Sequence, residues 1–199
     1  MFSDEYGLTQ AVLNGRKTQT RRIAYMPNGF IIFDDKDFQL KKLDNGRALL
    51  TLCNNRFKTA NYKIGDTIAI AQRYEDMAKD DDLFRLCSKK GILLGRIIFE
   101  KGFHNKMFVR ADLMPHHIRI TNIRVERLQD ISEEDCLKEG IWRDDNVGLE
   151  GTTYWYYGLA NSSFRTAKEA YAALIDKISG KGTWEGNPWV FVYDFELVK

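Results

Sequence analysis

The chain has 199 residues, a length that suits one domain with elaborate loops or at most two small ones. Its 44% hydrophobic and 29% charged residues are the mix of a folded rather than a disordered protein. Thirty Lys and Arg stand against 28 Asp and Glu, a formal charge of +2. That balance argues against a strongly basic face gripping a long duplex, and favours a small ligand or a short single-stranded segment. The three cysteines, Cys53, Cys87 and Cys136, form no C-x-x-C pair. Neither a disulfide framework nor a cysteine zinc site is indicated, and all three are expected to be reduced.

The start, Met1-Phe2-Ser3-Asp4-Glu5, is acidic where a secretion signal would be basic, and runs such as Ile97-Ile98-Phe99 are too short to span a bilayer. A soluble cytoplasmic protein with no membrane partner is the expectation. Residues 4–14 read as a short helix with Leu8, Ala11 and Val12 on one face and Gly15 at its end. A basic stretch, Arg16-Lys17-Thr18-Gln19-Thr20-Arg21-Arg22, then leads into a strand. Strand-like runs follow at Phe30–Phe33, Phe38–Leu40 and Ala48–Cys53, with Asn28-Gly29 and Asn45-Gly46 as turns. Lys63-Ile64-Gly65-Asp66 is a tight turn before Thr67–Ala71, apolar on both sides and so expected as a central strand.

Residues 76–90 are expected as a short helix or loop, and Ile92–Phe99 and Met107–Val109 as strands. Ile118–Leu128 reads as a long strand whose apolar phase slips at Thr121-Asn122, as a bulge would require. Ser132 and Thr166 each open a helix with a capping-box pattern, closed by Gly140 and Gly180 respectively. The second helix is expected to present Ala170, Leu174 and Ile178 along one face. Residues 143–164 are irregular and aromatic. The terminal Trp189–Leu197 alternates large apolar residues on its odd positions, which marks one buried face.

Two features carry chemistry. The cations Arg16, Lys17, Arg21 and Arg22, threaded with Thr18 and Thr20, form a plausible anion-binding turn, although cations past a helix C-terminus also complement its dipole. Glu139 closes the Ser132 helix, where a carboxylate is mildly unfavourable, and could instead face a Lys and a Thr as an acid–base set beside a hydroxyl.

The pattern Gly15-x-Lys17-x-x-Thr20-x-Arg22 resembles the G-x-K-x-x-T-x-R signature of the ASCH domains, a family with a PUA-like β-barrel. Lys63-x-Gly65-Asp66 resembles its turn before a barrel strand, Ile120–Leu128 followed by Ile131–Gly140 its strand-then-helix element, and Asn187–Phe195 its closing strand. Leu113-Met114-Pro115 ahead of the Arg119 strand is similar to long members encoded by phages and prophages. The resemblance covers about half the chain in four ordered blocks. It implies an α+β, PUA-like (ASCH) β-barrel with flanking helices, one domain over 1–199, and insertions near 26–60, 76–115 and 143–165.

It also implies RNA or a modified nucleoside as partner. Some short members are amidohydrolases that deacetylate N4-acetylcytidine with a Lys, a Thr and a Glu, which map to Lys17, Thr20 and Glu139. In that chemistry Thr20 attacks the acetyl carbonyl, Lys17 takes its proton and Glu139 shuttles a proton to the leaving amine. Arg16, Arg21, Arg22 and Trp142 are the expected ligand-binding residues, with Trp142 placed to stack a base. Binding is expected ahead of hydrolysis. A non-catalytic RNA-binding module and a protein-interaction module using Tyr154-Trp155-Tyr156-Tyr157 stay open as alternatives. No cofactor is implied, and His104, His116 and His117 lack the spacing of a metal site.

Overall fold

The computed structural model describes residues 2–24, 38–42, 48–52, 57–79, 81–145, 151–158 and 163–198; side chains are described outside 38–42, 48–52 and 57–58. Phe30–Phe33, both Asn-Gly turns and Cys53 lie outside the described residues. The chain divides into two compact units, a larger one of Ser3–Asp66 and Ile120–Glu196 and a smaller one formed chiefly by Thr67–Arg119. The smaller unit encloses the 76–115 stretch expected as an insertion.

The larger unit opens with α1 (Leu8–Leu13) and β1 (Gln19–Ile23). The expected hairpin material forms an antiparallel sheet of β2 (Phe38–Lys42), β3 (Ala48–Leu52) and β4 (Phe57–Thr59), with Phe38 opposite Leu52. The turn at 63–66 is present: Asp66 N–H donates to the Lys63 carbonyl at 3.1 Å, and Lys63 N–H donates to Asp66 Oδ2 at 2.9 Å.

The smaller unit begins with β5 (Thr67–Ala69) and continues through α2 (Tyr74–Lys79), α3 (Asp82–Lys89) and α4 (Leu94–Ile97). Its core is a cluster of Tyr74, Met77, Leu83, Cys87, Ile97, Leu113 and Met114. Gly102 lies against the Tyr74 ring, where an added Cβ would come within 2.7 Å of the ring, so no larger residue fits. The strands expected at 92–99 and 107–109 are absent. One helical turn seats Ile97 in the cluster with Leu94 beside it, while Leu93, Ile98 and Phe99 face solvent. A 3₁₀ turn over Lys106–Phe108 is capped by Asn105, whose Oδ1 accepts from Met107 N–H at 2.9 Å. Short apolar runs fit either period, and here tertiary packing decides.

β6 (His117–Arg127) starts in the smaller unit, pairs there with β5, and continues into the larger one. Its buried positions shift from Ile118 and Ile120 to Ile123, the phase slip that the sequence carries. α5 (Glu133–Lys138), β7 (Trp142–Asp144), β8 (Thr153–Trp155), α6 (Ala167–Ser179), α7 (Thr183–Gly186) and β9 (Trp189–Val198) follow. The main sheet has the order β1-β9-β6-β5 and is a curled antiparallel half-barrel, so the fold is mixed α+β. β5 therefore stands at an end of this order rather than in its centre; its apolarity serves Ala69, which packs on the helical cluster.

Strand β9, one of the two inner strands, is buried on both faces from Val190 to Tyr193, where alternation had suggested a single buried face. Both capping boxes mark real helix starts: Ser132 Oγ accepts from Asp135 N–H, and Thr166 and Glu169 cap α6 reciprocally. On α6 the buried face is Ala167, Ala170, Tyr171, Leu174 and Ile175, and Ile178 is exposed. The stretch 143–164, expected as irregular, holds most of β7 and all of β8, which pair antiparallel with Trp142 opposite Trp155. No described helix is long and apolar enough to cross a membrane.

Candidate functional site

The segment between α1 and β1 is fixed by its backbone. The N–H groups of Arg16 and Lys17 both donate to the Ala11 carbonyl at 2.9 Å, Thr18 N–H donates to the Lys138 carbonyl at 3.0 Å, and Phe195 N–H donates to the Thr18 carbonyl at 2.9 Å. The signature residues are thus stitched to the end of α5 and to β9. Lys17 turns inward and is 2% exposed. Its Nζ donates to Glu139 Oε2 at 2.5 Å and to the Glu139 carbonyl at 2.7 Å, while Arg16 Nη1 donates to the Gly140 carbonyl at 3.0 Å. Two cations therefore satisfy carbonyls that a helix C-terminus leaves without partners. Gly140 completes the fit. It has φ of +108°, and a Cβ there would sit 3.2 Å from Leu8 Cδ2 and 3.7 Å from Lys17 Cδ.

Beside this pair lies a larger polar network, buried at Gln19 and Arg21 and half-buried at Asn122, Arg124, Glu126, Asp135 and Asp194. The Arg21 side chain is fully buried, with Nη1 donating to Gln19 Oε1 at 2.5 Å and to Glu139 Oε1 at 3.1 Å. Its Nε and Nη2 converge on Glu126 Oε1 at 3.0 and 2.5 Å, and Nη2 reaches Asp135 Oδ2 at 3.2 Å. Arg124 bonds Glu126, Asp135 and Asp194 at 3.0, 2.5 and 2.9 Å. Gln19 and Asn122 donate to the two Asp194 oxygens at 2.6 and 3.1 Å. Lys17, Arg21 and Arg124 thus meet the four carboxylates of Glu126, Asp135, Glu139 and Asp194. Among the described residues no buried side-chain nitrogen or oxygen lacks a hydrogen-bond partner.

The electrostatics follow from this packing. Burial pushes the Lys17 ammonium below its ordinary pKa, against the opposing pull of Glu139. Burial also opposes the Arg21 charge, but Glu139 and Glu126 more than offset it and the pKa is raised. For Asp135, burial is outweighed by Arg124 and Arg21, which hold the carboxyl below its usual range. Burial pushes the Cys136 thiol up to about 12, so it is no nucleophile at neutral pH. Tyr171 of α6 is likewise raised well above its usual value by burial and then by Glu139.

This chain matches no family model, no curated protein and no solved structure.

On β1 successive residues point to opposite faces, which separates Arg21 from Thr20 and Arg22. Lys17, Arg21 and Glu139 come together in the polar network. Thr20 and Arg22 take the alternate positions, half-buried, with Thr20 opposite Tyr193 and Arg22 opposite Phe191. Tyr62 packs edge-on against Tyr193 on that side, with ring centroids 5.6 Å apart. Arg21, expected to bind ligand, instead spends its guanidinium on internal carboxylates.

Trp142 stacks parallel on Trp155 at 5.0 Å, and the Arg16 guanidinium lies 3.8 Å from the Trp142 ring centroid. A base stacking on Trp142 would have to displace one of these partners. In the Tyr154–Tyr157 run, Tyr156 is buried and Tyr157 exposed. An open cleft of about 590 Å³ is lined by Thr152, Thr153, Ser163, Phe164 and Arg165, none of which belongs to the predicted set.

Sequence reasoning missed Gln19, Asn122, Arg124, Glu126, Asp135 and Asp194 as members of the polar network. A signal existed in β6. Asn122, Arg124 and Glu126 alternate with Ile123 and Val125, a polar stripe in a strand that also supplies core residues.

Proposed function

We propose that this chain is an ASCH-type protein that binds a nucleoside, or RNA carrying a modified base, at a site organised by the Lys17–Glu139 pair. One observation carries the reading. Two residues 122 positions apart, which the resemblance to the amidohydrolase members maps to a Lys and a Glu, meet as a buried ion pair at 2.5 Å. A buried pair of this kind has a desolvation penalty that close packing of apolar side chains would avoid, so its presence fits a role other than stability. The lowered pKa of Lys17 is the property a general base requires, and Thr20, three residues on, supplies a hydroxyl.

In the hydrolytic version Thr20 Oγ adds to the acetyl carbonyl of N4-acetylcytidine as its proton passes to a neutral Lys17 amine. The C–N bond then breaks as Lys17 passes that proton by way of Glu139 to the leaving amine. Water next attacks the acyl-Thr20 ester, its proton returns through Lys17 to Thr20 Oγ as the ester bond breaks, and acetic acid leaves and ionises to acetate. Binding stands ahead of this reaction. Lys17 Nζ already donates to two Glu139 oxygens, and Thr20 occupies the alternate face of β1 from Gln19 and Arg21.

The test is mass spectrometry of N4-acetylcytidine and a panel of other modified nucleosides incubated with the protein, its Lys17→Ala variant and its Thr20→Val variant. Release of cytidine by wild type alone establishes the hydrolase. Retention of N4-acetylcytidine by wild type and Thr20→Val, without turnover and lost in Lys17→Ala, establishes the binding reading. Absence of both binding and turnover across the whole panel overturns both.

A further inference from the structure

Between Leu83 and Arg110 seven Lys and Arg stand against a single carboxylate, Glu100, in a chain whose total charge is only +2. The same stretch holds six of the ten exposed large apolar side chains among the described residues. Three of them are phenylalanines: Phe99 is 85% exposed, Phe84 58% and Phe108 54%. The core of the smaller unit is built without them, from Tyr74, Met77, Leu83, Cys87, Ile97, Leu113 and Met114.

Six of the seven cations fall into two kinds, and the seventh, Lys106, donates to the Phe2 carbonyl. Lys90 and Arg110 pair with Asp112. Arg85, Lys89, Arg96 and Lys101 are exposed and join no ion pair among the described residues. Lys101 Nζ instead stands 5.5 Å from the centroid of the exposed Phe108 ring. An uncompensated cation beside a flat apolar face fits a nucleotide, which joins a phosphate to a flat base.

We propose that this surface of the smaller unit docks single-stranded nucleic acid, with phosphates on Arg85, Arg96 and Lys101 and bases on Phe99 and Phe108. A polyanion answers the local charge, and unpaired bases answer the exposed rings, which duplex DNA or RNA would leave uncovered. An anionic lipid surface would match the charge, but it makes no use of a cation placed over a ring. The inference does not depend on the Lys17 site.

The experiment is fluorescence anisotropy of a labelled uridine 15-mer, free of any modified base, titrated with the full chain between 50 and 200 mM salt. Binding should weaken as salt rises. Phe99→Ala should weaken it about tenfold. Arg96→Gln with Lys101→Gln should lower the slope of log K against log salt by about 1.4. All these side chains are exposed, so melting temperatures should match wild type. Salt-insensitive or absent binding overturns the proposal. So does binding that these variants leave unchanged, or association with phosphatidylserine vesicles in place of the 15-mer. Because the probe carries no modified base, failure of nucleoside recognition at Lys17 and failure here read out separately.

Discussion

The two units are held together by different physics. The smaller one packs a sulfur- and aromatic-containing apolar cluster in which no buried charge takes part. The larger one, behind β1, buries Lys17 and Arg21 among carboxylates and closes the arrangement with hydrogen bonds. Apolar contacts are undirected and tolerate volume-conserving changes, whereas each member of a charged interior is specified by its partners. The comparison teaches where substitution should be tolerated and where a single missing oxygen should matter.

The largest effect should come from breaking the ion pair on one side. Glu139→Ala leaves Lys17 buried without its counter-charge and should lower stability by about 3–5 kcal/mol in a denaturant melt. The double variant Lys17→Met with Glu139→Leu should recover much of that loss, and equal losses in the single and double variants would show that the pairing is not what matters. In the smaller unit, Leu83→Ala should cost about 2–5 kcal/mol through the cavity it leaves, while Leu83→Met should cost less than about 1.5 kcal/mol. A Leu83→Met loss as large as that of Leu83→Ala would place the smaller unit in the same exacting class as the charged interior.

The smallest effect should separate the units by pH. The Asp135 carboxyl is held below its ordinary pKa, so its contribution is complete above about pH 4 and is lost as pH falls through the folded value. Acid unfolding followed by intrinsic fluorescence should therefore start at lower pH in Leu83→Met than in Arg124→Met, which lacks a cation that holds Asp135 down. Asp135→Asn should flatten the acid limb, and an unchanged limb would remove Asp135 from the account.

What the sequence made legible follows the range of the interactions. The capping boxes at Ser132 and Thr166 and the Lys63–Asp66 turn are local, and each lies where its own residues indicate. The run 92–99 misled because its apolarity is satisfied by one helical turn placing Ile97 in a cluster assembled from distant residues. The β7–β8 hairpin was hidden because its pairing rests on Trp142 meeting Trp155 across an intervening stretch without a strong turn signal. For the site, Lys17 came from the signature and Glu139 from its place at the end of the Ser132 helix and from the resemblance, but the role of Arg21 came from neither. Its partners Glu126, Asp135 and Glu139 sit more than 100 residues away, and no local pattern announces them.

The stitching of Thr18 has a consequence for kinetics. Its N–H is held by the Lys138 carbonyl and its carbonyl by Phe195 N–H, so the signature segment is ordered from both sides before any ligand arrives. A ligand meeting this segment finds its backbone already set, and association there should follow a single diffusive step without a slow rearrangement phase. The amide of Thr18 should exchange with solvent as slowly as the inner strand β9 does, since releasing it requires the end of α5 to part from the sheet.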